Sequence, residues 1–107
     1  MIYDRILTVY DLTDGDSPLS RRLIGGRRFF YGERTVGVTR FWAAKQAGEQ
    51  VDMVVELPEA DIMPTQYCVP ADGKQYRILQ VQAKYDDDGL AITLLSLRRM
   101  ENFYDIA

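Results

Sequence analysis

A β-like pattern opens the chain. From Ile2 to Leu12, the residues Ile6, Thr8 and Tyr10 fall on one side and Leu7, Val9 and Asp11 on the other, which predicts a strand. Thr13 to Pro18 gathers turn formers without an apolar residue and predicts a loop. Further on, Val51, Met53, Val55 and Leu57 share one face while Asp52 and Glu56 share the other, the pattern of a half-buried strand that Pro58 stops. The stretch from Pro58 to Pro64 is bracketed by residues that cannot donate to a ladder, so an irregular crossing is expected. Two hairpins follow. Asp72-Gly73 sits between the runs Gln66 to Val69 and Gln75 to Tyr85, and Asp86 to Gly89 turns the chain into a returning strand from Leu90 to Leu97. That last strand is apolar on both faces at its centre, which places it inside the sheet or at an interface.

Between Thr39 and Gly48 the local signals become helical. Thr39 can accept a hydrogen bond from an amide of the first turn, Ala43, Ala44 and Ala47 favour helical geometry, and Gly48 suits the residue that ends it. Phe41, Ala44, Ala47 and Gly48 fall near one face with Trp42 beside it, so Phe41 and Trp42 are the expected core anchors of a short plug. The fold class expected is mainly β: a β-barrel or sandwich of about six mostly antiparallel strands with one short inserted helix. A length of 107 residues fits a single domain over 1–107.

Composition narrows the chemistry. The chain has no histidine, which removes the commonest general base and metal ligand, and Cys68 stands alone, so no intrachain disulfide can form. A small buried thiol is the expected role of Cys68, and a non-enzymatic protein without cofactor, metal or catalytic residues is the expected class. No apolar stretch is long enough to cross a bilayer, and Met1 to Leu7 lacks the apolar core of an export signal. The three aspartates before Gly89 lack the alternate ligand spacing of a calcium loop. Asp52 and Glu56, four residues apart on a strand, are separated by roughly 13 Å, too far for a paired-carboxylate site.

The formal net charge of -3 is unevenly distributed. Leu19 to Gly37 carries Arg21, Arg22, Arg27, Arg28 and Arg34 against one acid, Glu33, and encloses Phe29-Phe30-Tyr31. Interleaved arginines and aromatics can grip phosphates and stack on bases, whereas a strand pair around Gly25-Gly26 with solvated arginines gives the same composition. At the other end, Arg98 to Ala107 closes the chain with aromatics that either cap the core or dock on a partner.

The run Glu33 to Gly48 (ERTVGVTRFWAAKQAG), followed by Val51 to Val55, Asp72 to Ile78 and Leu95 to Arg99, resembles the head-tail joining (head closure, or head-tail adaptor) proteins of tailed bacteriophages and prophages. Order and spacing match over roughly residues 30 to 100. The resemblance implies a small β-barrel subunit with one helix, assembled as a ring beneath the portal and its adaptor. Such a subunit closes the filled head and the DNA channel and presents a surface to the tail. It implies residence in the virion, with the bacterial cytoplasm as the place of assembly. By the same analogy, the loop from Asp14 to Pro18 and the arginines Arg21, Arg22, Arg27, Arg28 and Arg34 are the expected ring or channel contacts, and packaged DNA is an expected neighbour. A stand-alone nucleic-acid-binding β-barrel, gripping a strand through Arg27, Arg28, Phe29, Phe30 and Tyr31, is the alternative expectation.

Overall fold

The computed structural model describes residues 2–13, 21–34 and 50–106. Within them lie seven strands and no helix: β1 (Arg5–Thr13), β2 (Arg22–Arg34), β3 (Met53–Pro58), β4 (Tyr67–Val69), β5 (Tyr76–Tyr85), β6 (Ala91–Arg99) and β7 (Asp105–Ile106). They pair in the order β1-β4-β5-β6-β3-β2, and β2 pairs back onto β1, so six strands close in a ring. β7 lies outside it, parallel to the start of β2, with Arg22 against Asp105 and Leu23 against Ile106. All other ladders are antiparallel. A mainly β, mostly antiparallel architecture is therefore present as expected. The helix expected over Thr39 to Gly48, with Phe41 and Trp42, lies outside the described residues, as does most of the loop from Thr13 to Pro18.

Closure gives the ring an inside. Leu7 and Val9 of β1, Tyr31 of β2, Val55 and Leu57 of β3, Cys68 of β4, Tyr76 and Ile78 of β5, and Leu95 and Leu97 of β6 point into one buried cluster, joined by Ile62 from the crossing after β3. Every strand of the ring contributes, because alternate residues of a strand face the same side. The phenol of Tyr31 is satisfied there by the Ala71 amide at 3.0 Å, and that of Tyr76 donates to Asp72 Oδ2 at 2.7 Å. Buried polar tips are thus paired, as burial demands.

Two expectations need correction. The first concerns Gly25-Gly26, expected in the simpler reading to divide a strand pair. Instead β2 runs unbroken through both glycines, and they form a bulge: the register passes from Val9 opposite Arg27 to Asp11 opposite Ile24, leaving two glycines against Tyr10. Gly25 takes φ +67, a backbone conformation that glycine adopts without a Cβ penalty, and Tyr10 covers Gly26 closely enough that an added Cβ would lie 2.8 Å from its ring. Local composition signalled a reversal, and a partner strand converted it into a bend.

The second concerns β3, expected to be half-buried. Val54, Val55, Glu56 and Leu57 are all buried, and on the neighbouring β6 so are all residues from Ile92 to Leu97. Glu56 tolerates this because its carboxylate is satisfied: the Tyr3 hydroxyl donates to Oε2 at 2.7 Å and Arg34 Nη1 lies 3.3 Å from Oε1. A charge enters a buried row only with partners of this kind. The central β6 strand, apolar on both faces, lies between β5 and β3, inside the sheet as its pattern required.

Both hairpin turns form where the glycines stand, with Gly73 at φ +76 and Gly89 at φ +79. Asp86 closes the second turn by accepting from the amides of Asp88 at 3.0 Å and Leu90 at 2.8 Å. The crossing between β3 and β4 is irregular, as its prolines dictate, and Gln66 anchors it. Its Nε2 donates to Asp11 Oδ1 at 2.9 Å, and its Oε1 accepts from the Met63 amide at 2.9 Å.

Candidate functional site

The arginines singled out from the sequence do not converge. Arg21 and Arg22 are exposed at the entry to β2, beside the part of β1 that has passed β4. Arg27 is turned toward the crossing, where Nη2 donates to the Asp61 carbonyl at 3.0 Å and to Gln66 Oε1 at 3.3 Å, with its guanidinium carbon 5.6 Å from the centre of the Phe29 ring. Arg28 is exposed on the opposite face of the strand, opposite Thr8, two residues from an exposed Phe30 that stands opposite Ile6. Arg34 is engaged with Glu56 at the far end. Spread over a strand of thirteen residues, they span roughly 40 Å and occupy both faces. Phe41 and Trp42 lie outside the described residues.

What does converge is a set absent from the sequence-derived candidates. Arg77 of β5 stands directly opposite Arg98 of β6, with Arg99 next in line. All three line a cleft of about 650 Å³ whose other wall is the segment from Met100 to Tyr104. A signal was available: counting back from Tyr85 opposite Ala91 brings Arg77 to within one residue of Arg98, and a bulge between Ile78 and Gln80 supplies the last step. The pairing was hidden because a bulge is not legible from alternation alone.

The segment walling the cleft is held by one side chain. Gln75 donates from Nε2 to the Tyr104 carbonyl at 2.7 Å and accepts the Tyr104 amide on Oε1 at 2.8 Å, while its own carbonyl receives the Met100 amide at 3.0 Å. The carboxamide thus pairs with a backbone as a neighbouring strand would. Tyr104 also meets Tyr67 edge to face, with centroids 5.7 Å apart. Burial, and then the neighbouring Tyr104 phenol, push the Tyr67 hydroxyl above its ordinary pKa. Of the two outcomes expected for the closing aromatics, Tyr104 tucks against the sheet and Phe103 remains 54% exposed at the cleft.

A second groove, of about 600 Å³, lies at the opposite end of the β5–β6 hairpin, lined in part by Tyr3, Arg34, Glu56, Lys84 and the aspartates of the turn. Burial and the hydrogen bond to Glu56 raise the Tyr3 phenol to about 12. Cys68 is fully buried, and burial raises its thiol to about 12, so at neutral pH it stays protonated and poorly nucleophilic. Among the described residues no helix is long and apolar enough to cross a membrane, a statement that does not bear on strands. Compared with known proteins, the chain matches no family model and no curated sequence.

Proposed function

We propose that this chain is a structural subunit of the head-tail connector of a tailed bacteriophage or prophage. In this role it joins the portal and adaptor complex to the tail, self-associates as a ring and closes the DNA channel, residing in the virion after assembly in the bacterial cytoplasm. The observation that supports the reading best is the β1–β2 ribbon. β4 covers β1 only over Thr8 to Tyr10, and beyond it Asp11 to Thr13 pair with β2 alone among the described residues. On this extension Arg21, Arg22 and Ile24 are exposed, while the burial of Leu23 and the pairing of Arg22 and Leu23 with β7 hold the strand in place, so it presents a fixed basic rim of the kind a neighbouring subunit can dock on. The resemblance over roughly residues 30 to 100 points the same way.

Mixing the purified protein with portal and adaptor complexes, and imaging by negative stain, tests this. An added layer of density beneath the adaptor is expected, weakened when Arg21 and Arg22 are replaced by glutamate. Absence of binding to any portal, adaptor or tail component would overturn the reading. The alternative, a stand-alone nucleic-acid-binding domain, draws on Arg28 beside the exposed Phe30, but Arg27 and Arg34 already serve protein acceptors. Oligonucleotide affinity that falls steeply with salt would favour it.

A further inference from the structure

The β5–β6 hairpin bears opposite charge at its two ends. At the open end, Arg77 and Arg98 face each other across the ladder, and Arg99, which leaves the strand on the other face opposite Tyr76, lines the same cleft at the end of β6. Like charges directly opposite on a sheet oppose folding. Neither Arg77 nor Arg99 forms an ion pair among the described residues. Two carboxylates share the cleft. Asp52 is occupied, accepting the Arg99 amide on Oδ2 at 2.8 Å and Gln50 Nε2 on Oδ1 at 2.7 Å, and Glu101 is exposed on the outer wall.

At the turn end, Asp86 spends its carboxylate on the amides of Asp88 and Leu90, which leaves Asp87 and Asp88 exposed at the apex. Tyr85 at 77% exposure and Leu90 at 64% form apolar shoulders on either side, and Lys84 is the cation that precedes them.

We infer that the acidic apex of this hairpin in one copy of the chain docks into the arginine cleft of a second copy. The carboxylates of Asp87 and Asp88 meet the guanidinium groups of Arg77 and Arg99, which suit carboxylate geometry, and the shoulders Tyr85 and Leu90 meet exposed Phe103. One molecule cannot satisfy itself, because a strand of ten residues separates the two ends by roughly 30 Å. The contact is therefore heterologous: each docked pair is left with one free apex and one free cleft, so assembly grows until rotation closes it into a ring or leaves it an open filament. It gives a specific interface to the self-association named in the connector reading, but does not depend on portal, adaptor or tail, since the protein alone displays both surfaces.

Sedimentation of the whole protein, up to about 1 mM, is the test. At about 0.1 M salt the mean mass should rise with concentration, and at about 1 M salt, where screening reaches about 3 Å, it should fall back toward the monomer. D87N/D88N and R77Q/R99Q, altered only at exposed positions, should each be folded by circular dichroism and monomeric throughout. Their equimolar mixture should form a one-to-one heterodimer and stop there, because only one intact apex and one intact cleft remain in each pair. A wild-type protein that stays monomeric at about 1 mM, a mixture that fails to pair, or either variant oligomerising like wild type overturns the inference. Binding of portal complexes by the monomeric variants leaves the connector reading standing, so the two failures are told apart.

Discussion

Replacing Gln75 should release the C-terminal segment while leaving the ring of strands intact. The side chain is only 5% exposed and makes two backbone hydrogen bonds to Tyr104, at 2.7 and 2.8 Å. Each is worth about 0.5–1.5 kcal/mol net, so both together hold the segment by about 1–3 kcal/mol. The freed Tyr104 groups reach water once the segment lifts, so no further penalty for unsatisfied groups accrues. Gln75→Met keeps much of the volume and removes both bonds. A loss of about 2 kcal/mol from the local opening free energy corresponds to roughly 30-fold faster exchange of the Tyr104 and Ile106 amides, while amides of β5 and β6 slow or quicken only with global stability. Gln75→Glu retains an acceptor for the Tyr104 amide but sets an oxygen against its carbonyl, and should fall between wild type and Gln75→Met. Hydrogen exchange read residue by residue by NMR is the assay. Unchanged Tyr104 exchange in Gln75→Met, or equal acceleration across β5 and β6, would refute the claim that one carboxamide builds the cleft wall.

Two further outcomes follow from the geometry. Gly26→Ala should destabilise by about 1–3 kcal/mol in urea unfolding, since the new Cβ would sit 2.8 Å from Tyr10 Cε1 and 3.1 Å from Thr8 Cγ2; most of that loss should vanish in a Tyr10→Ala background, and additive effects would refute the contact. Raising the pH should unfold the protein from about pH 10 upward. The Tyr3 phenol is raised to about 12 by burial and by Glu56, and Tyr76 is raised by burial and by Asp72, so the unfolded chain loses these protons first. Stability is full below pH 10 and falls as pH climbs through the folded values. Tyr3→Phe should make that alkaline decline shallower, measured as urea midpoint against pH, and an identical slope would count against the Tyr3–Glu56 pairing.

How much of this was legible in the chain depends on the range of the interaction. β1, β3 and the two hairpins could be read because each rests on neighbours in sequence: alternation for the strands, and Gly73 and Gly89 at positive φ for the turns. The central place of β6 followed from its apolar character on both faces. The candidate sites fared differently. Five arginines gathered along 21–34 looked like one surface, but a strand distributes its side chains to two faces and along its length, and two of the five found protein acceptors.

What only the tertiary structure decided was pairing between distant segments. The closure of β2 onto β1, the bulge at Gly25-Gly26 and the short parallel β7 all depend on which backbone meets which. So does the burial of Glu56, whose partners Tyr3 and Arg34 are far from it in sequence. The arginine cleft arises because a one-residue bulge sets Arg77 against Arg98, and because Gln75 carries the chain end across them. Propensity and alternation are properties of a few consecutive residues and survive in the sequence, whereas register and closure are fixed only when a strand finds its neighbour.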